Sequence, residues 1–233
     1  MLIIENFKKS YGNKEVIKNL SLEVAKGEIF GFIGHNGAGK TTTIKCIAGI
    51  LDFNGGNITV DGVSIKDNPV DCKRKIAYLP DNPDLYENLT GIKYINFICD
   101  IFDVDNNNRG EKIDALAKDF EIYTKLGDTI SSYSHGMKQK IAVIAALIHE
   151  PKLLILDEPF VGLDPKSSFI LKEKMKQLCE SGSSIFFTSH VLEVVEKLCH
   201  RVAILKDGDI IKMGNTNEII KLKSLEEIFL ESE

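Results

Sequence analysis

The chain has 233 residues and carries 29 Lys and Arg against 34 Asp and Glu, a net charge of −5. That length predicts one domain with a substantial core, and the acidic balance argues against broad electrostatic binding of nucleic acid. Hydrophobic residues at 43% and charged residues at 27% exclude a disordered chain, and no uncharged apolar run approaches the ~18 residues of a membrane-spanning helix.

The N-terminal MLIIENFKKSYG reads as a strand, because it lacks the charged start and long apolar stretch of a signal peptide. Residues 2–7, 15–17, 21–24 and 57–60 are predicted strands of a small antiparallel sheet. Turns at Tyr11-Gly12-Asn13, Lys26-Gly27 and Asp61-Gly62 punctuate them. The runs 29–33, 153–156, 185–187 and 202–205 are almost continuously apolar, as expected for strands covered on both faces. After Lys40, the residues Ile44, Ile47, Ala48 and Leu51 recur at helical spacing. Residues 90–150 read as helical, with Ile92, Ile95, Ile98, Ile101 and Phe102 on one stretch and a polar loop, DNNNRG, at 105–110. Residues 166–180 form another amphipathic helix through Ile170, Leu171, Met175 and Leu178. Two short helices are expected over 216–230, the second opening on a capping box from Ser224 to Glu227. Strands alternating with helices predict an α/β fold with a mainly parallel sheet. The five cysteines, Cys46, Cys72, Cys99, Cys179 and Cys199, are odd in number and form no C-x-x-C pair. Buried thiols in a reducing compartment fit better than disulfides or zinc.

Residues Gly34, His35, Asn36, Gly37, Ala38, Gly39, Lys40 and Thr41 read GHNGAGKT, which satisfies G-x-x-x-x-G-K-[ST]. A predicted strand precedes the motif and a predicted helix follows. Glycine-permitted turns aim backbone N–H groups into one concavity, and the helix start adds partial positive charge. Lys40 supplies a point charge for β- and γ-phosphates; the Thr41 hydroxyl suits Mg²⁺. A second element, LLILDE, delivers Asp157 and Glu158 at the end of a buried strand. Asp157 is suited to hold Mg²⁺ through water, and Glu158 to take a proton from the attacking water.

These two elements leave kinases, small GTPases and many ATPases open. Further segments narrow the choice: Ser134, His135, Gly136, Met137, Lys138 and Gln139 opening an apolar helix; Gly162-Leu163-Asp164-Pro165; Thr188-Ser189-His190; and Tyr11 ahead of the phosphate loop. With these in order, essentially the whole chain resembles the nucleotide-binding subunit of ABC transporters. The resemblance implies a P-loop NTPase with a RecA-like core. That core is flanked by an antiparallel β subdomain and interrupted by an α-helical one. The expected divisions within a single 1–233 domain are 1–89 and 151–215 for the core, 90–150 for the helical insert and 216–233 for the tail.

By the same resemblance, SHGMKQ is similar to the family signature LSGGQ and contacts ATP of the opposite subunit. Asp164 looks like the interface residue, His190 like the switch histidine and Tyr11 like the aromatic residue on adenine. Thr42 joins the ATP-binding set. Two departures stand out. Asp81 occupies the place of a usual Gln, keeping an oxygen for the metal but losing an amide donor. His135 occupies the place of a common Gly. The implied function is a Mg²⁺-dependent ATPase that pairs with a second ATP-binding subunit and drives a separate integral membrane permease. That places it at the cytoplasmic face of the membrane, peripherally. The YENLTG and SHGMKQ wording is most similar to the bacterial exporter branch. A soluble ABC ATPase of cofactor assembly or translation is the alternative, and a nucleotide-sensing module is a third class.

Overall fold

A computed structural model describes residues 1–221 and 223–231. In chain order, β1 (Leu2–Tyr11) and β2 (Lys14–Val24) form a hairpin and are followed by β3 (Ile29–Gly34) and α1 (Lys40–Ile47). Next come β4 (Gly55–Val60), β5 (Val63–Ser64), α2 (Pro69–Lys73) and β6 (Ile76–Leu79). Three helices then precede the next strand: α3 (Gly91–Ile101), α4 (Asn106–Asp119) and α5 (His135–Leu147). The chain returns through β7 (Leu153–Asp157), α6 (Pro165–Glu180), β8 (Ser184–Thr188), α7 (Leu192–Leu198), β9 (Arg201–Lys206) and β10 (Asp209–Asn215). It ends on α8 (Thr216–Ile219) and α9 (Leu225–Glu231).

The antiparallel sheet has the order β2-β1-β4-β5. The two strands expected over 15–24 are one, β2. Register shifts against β1 absorb the break in alternation, and Asn6 takes the left-handed conformation (φ 49°) that such a bulge requires. Phe7 and Leu20 stay paired and buried across it.

The six-stranded sheet has the order β10-β9-β3-β8-β7-β6 and is parallel except for β10. Edge strand β10 was not expected. Its side chains are half-buried or exposed, so no apolar run marks it. The turn before it, Asp207-Gly208, has φ of 47° and 81°, the geometry of a tight hairpin. Successive residues of the inner strands feed opposite cores. Ile29 and Ile33 face helices α3 to α7, while Phe30 and Phe32 face α1 and the antiparallel sheet. That two-sided burial is the physical reason for the continuous apolar runs.

Two expectations are corrected. The DNNNRG run is not a loop: Asp105 N-caps α4 by accepting from Asn107 N at 3.0 Å, and Arg109 reaches back to Asp100 (2.5 Å) and Val104 O (2.9 Å). A good cap and these anchors outweigh the weak helix propensity of three asparagines. Helix α1 stops at Ile47, with Gly49 left-handed at φ 66°, so Leu51 lies beyond it. The capping box at α9 is present: Ser224 N donates to Glu227 Oε2 (2.8 Å) and Glu227 N to Ser224 Oγ (3.2 Å). The five thiols are free and buried, and burial raises Cys46 to about 11.

Candidate functional site

Strand β3 delivers the chain to Gly34, where a side chain has no room. A Cβ there would lie 2.3 Å from the Leu205 carbonyl oxygen of β9. Gly34→Ala is therefore expected to cost about 1–3 kcal/mol through forced displacement of β9. Urea unfolding measures this, and an unchanged midpoint would show that β9 yields freely. At the other end of the loop, Gly39 caps α1 at φ 109°, with no side-chain cap and no acidic residue in the first turn. The N–H groups of Lys40, Thr41 and Thr42 thus lack intrahelical acceptors and carry the helix's partial positive charge. Lys40 is buried; its Nζ donates to Gly34 O (2.5 Å) and His35 O (3.2 Å). Burial lowers its pKa, and the charges of Glu158 and Asp157 offset part of that.

The carboxylates come from β7 and are held by β8. Asp157 pairs in register with Thr188. The Thr188 hydroxyl donates to Asp157 Oδ1 at 2.6 Å and accepts from Glu158 N at 3.2 Å. Glu158 itself has φ 50°, a conformation that costs a side chain with a Cβ about 1–2 kcal/mol. His190 N donates to Glu158 Oε2 at 3.0 Å. The His190 Nε2 lies 3.3 Å from Oε1, near enough for attraction but outside hydrogen-bond alignment, so Oε1 is buried with no hydrogen bond. Burial raises the Glu158 pKa, and His190 opposes the shift.

Lys40, Thr41, Thr42, Asp81, Asp157, Glu158 and His190 converge on one cleft of about 280 Å³, with Asn36, Gly37 and Gly39 in its wall. It lies at the C-terminal ends of the parallel strands, the usual ligand edge of such sheets. Ala38 is buried, and its carbonyl accepts from Gly208 N at 3.2 Å. Sequence reasoning missed two contributors. Val16 lines the cleft from β2, a lone valine with no motif around it. Thr188 holds the Asp157 carboxylate and the Glu158 backbone N–H; it stood in plain view two residues before His190, and a hydroxyl at a strand end was the available signal.

Other expected residues lie outside the cleft. Tyr11 is exposed, with Lys9 Nζ 4.6 Å from its ring centre. Ser134 N-caps α5, accepting from Met137 N at 3.3 Å. The His135 ring lies against Gly162, Gly136 faces the Gly162 carbonyl, and Met137 is half-buried. Lys138 pairs with Glu87. Gln139 is completely buried, whereas Ser134 and His135 are exposed. Asp164 N-caps α6 through Ser167 N (2.8 Å) and pairs with Lys140 (2.8 Å). The Lys140 and Ser167 contacts hold its carboxyl well below the usual range. Asp164→Ala is expected to cost about 1 kcal/mol in thermal or urea unfolding, the worth of an N-cap; no loss would show α6 starting without it.

The family described as ABC transporter matches residues 17–161, more than half of the chain. The chain belongs to the ABC transporter family. It is similar to the linearmycin resistance ATP-binding protein LnrL of Bacillus subtilis (strain 168). The two are 39% identical over 94% of this chain and 70% of that protein. It is similar also to the ABC-type transporter ATP-binding protein EcsA of the same organism, 31% identical over 99% of this chain and 96% of that one. Among solved structures, an ATP binding subunit of an ABC transporter superposes with a TM-score of 0.95 at 31% identity, covering 99% and 98% of the two chains. A dimeric post-hydrolysis state of the ATP-binding cassette MJ0796, bound to ADP and Pi, shares the fold at TM-score 0.84 and 22% identity, covering 93% and 99%. The sequence reading of this ABC ATP-binding subunit, an α/β fold with a flanking antiparallel sheet, is borne out.

Proposed function

We propose that this ABC subunit hydrolyses ATP within a head-to-tail pair of like subunits and drives a separate integral membrane permease, in the export direction, from the cytoplasmic face of the membrane. One observation carries the reading: Lys40, Asp157, Glu158 and His190 converge on a single cleft at the strand ends. Lys40 and the open N–H groups of α1 bind the β- and γ-phosphates. Glu158, raised by burial, is the proton acceptor for water, and His190 N orients it. Ser134 and Gly136 address the partner's nucleotide, Asp164 joins the pair, and Tyr11 stacks on adenine. The divisions 1–89 with 151–215, 90–150 and 216–233 serve as core, signature-bearing arm and tail.

A divalent cation fits the residues present. The Thr41 hydroxyl and the Asp157 and Asp81 carboxylates line one cleft, a set of oxygen donors of the kind that suits a Mg²⁺ shared with phosphates and water. Thr41, Asp157 and Asp81 are the residues that would hold it. When bound it neutralises charge on the phosphate oxygens. Asp81→Gln is expected to shift the Mg²⁺ concentration for half-maximal hydrolysis; an identical titration would make Asp81 a bystander.

Among the described residues no helix is long and apolar enough to cross a membrane, and a surface for a permease is at hand. A groove of about 670 Å³ is lined by Leu85, Tyr86, Glu87, Asn88, Leu89 and Phe97. Tyr86 is 61% exposed and meets Phe97 edge-on at 5.5 Å. The same loop is tied to the signature helix by the Glu87–Lys138 pair, and to the turn that precedes that helix by Ile130 N to Leu89 O (2.9 Å). Pressure on the groove therefore reaches Ser134 and Gly136 through a short bonded path. Isolation of the chain from native membranes tests this. Recovery with an integral membrane protein supports the reading, and recovery with a soluble scaffold supports the cofactor-assembly alternative.

A further inference from the structure

Phe229 of α9 lies on the phosphate loop. Its ring centroid is 3.7 Å from that of His35, at an interplanar angle of 37°. His35 is a working part of the loop: its carbonyl accepts from Lys40 Nζ at 3.2 Å and from Ala38 N at 3.1 Å. Helix α9 is firmly seated. Leu225 and Ile228 are buried in the same core as Val195, Leu198 and Val202, and Leu225 N donates to Glu196 Oε1 at 2.7 Å. Val195 and Glu196 belong to α7, which follows directly on the His190 loop. One short helix thus touches both the element that follows His190 and the loop that presents Lys40.

We propose that α9 is a clamp on the phosphate site, with Phe229 as its positioning residue; the proposal rests on the phosphate-site reading given above. The ring fixes the His35 side chain, and its backbone carbonyl in turn fixes where the Lys40 ammonium waits. Nucleotide affinity then depends on a residue outside the cleft, because an aromatic contact of this geometry is directional as well as apolar. Phe229 touches no reacting group. Its loss acts on binding and loop order, leaving the Glu158–His190 arrangement alone.

The test uses the full chain with MgATP and MgADP in equilibrium dialysis, together with steady-state hydrolysis. Phe229→Leu keeps apolar bulk for seating α9 but removes the ring. It is expected to weaken nucleotide binding about 3- to 10-fold and to raise KM more than it lowers kcat. Phe229→Tyr, which keeps the ring, is expected to bind as wild type. His35→Ala is expected to match Phe229→Leu, and the double variant to be no worse than either single one. Wild-type affinity in Phe229→Leu, or losses that multiply in the double variant, overturns the clamp while leaving the phosphate site in place. No uptake of MgATP by the wild-type chain overturns the phosphate-site reading and this proposal with it.

Discussion

Glu158→Gln is expected to retain MgATP binding and to slow hydrolysis by ~10²–10⁴, the usual worth of a general base, or roughly 3–5 kcal/mol of barrier. The amide matches the carboxylate in size and still accepts from His190 N at the Oε2 position, so the loop should keep its shape. What it loses is the buried, unbonded Oε1 with its raised affinity for a proton. The variant should also accumulate an ATP-bound pair of subunits, visible by size-exclusion chromatography. Near-normal turnover would remove Glu158 from the role.

The pH profile supplies an independent check. Burial raises the Glu158 pKa above the ordinary 4.5. As a base it must be deprotonated, so hydrolysis should fall as pH drops through that raised value, with the acid limb above pH 4.5. Glu158→Gln should lack that limb. Stability runs the other way. The folded chain holds this proton more readily than the unfolded one, so the contribution is full below the unfolded value. It is lost as pH rises through the folded value.

Lys40→Met is expected to be the second severe change. It keeps the alkyl stem and removes the charge. Charge-assisted hydrogen bonds to phosphate contribute about 1.5–3 kcal/mol, so MgATP affinity should fall ~10–10². Hydrolysis should fall further, by ~10²–10³, because charge on the transferring group also loses its partner. The fold should persist, since a buried ammonium is costly and its pKa is already lowered by burial. The readout is thermal unfolding with and without MgATP. The rise in Tm that nucleotide gives the wild type should shrink at the same nucleotide concentration, while the Tm without nucleotide stays level or rises. A preserved nucleotide-induced rise would place the phosphates away from Lys40.

The inner strands and the phosphate loop were legible because their physics is local. A strand covered on both faces has to be apolar throughout, and a chain that wraps phosphate needs Gly37 and Gly39 at positive φ. Strand β10 was not legible, since an edge strand with one wet face leaves no continuous apolar run. The start of α4 was misread because three asparagines look like a loop until Asp105 caps them. In the site, Asp157 and Glu158 were visible from their motif, but the left-handed turn at Glu158 was not. Nothing in a glutamate announces φ 50°; it is imposed by Thr188 across the strand pair and by the His190 loop. The burial of Gln139 was not legible, because it follows exposed His135 by about one helical turn and helical phase alone would put the two on one face.

The tip of the β9–β10 hairpin is where a protein engineer would normally splice in a tag or a foreign segment, since such tips usually tolerate added residues. Here Gly208 is bonded on both sides, its N–H to Ala38 O of the phosphate loop (3.2 Å) and its carbonyl to Lys18 N of β2 (3.4 Å). A Cβ at that position would come within 2.3 Å of Val16 O, and Val16 is itself in the cleft wall. An insertion at this tip would lever apart the two sheets at the nucleotide, so graft sites on this scaffold belong elsewhere.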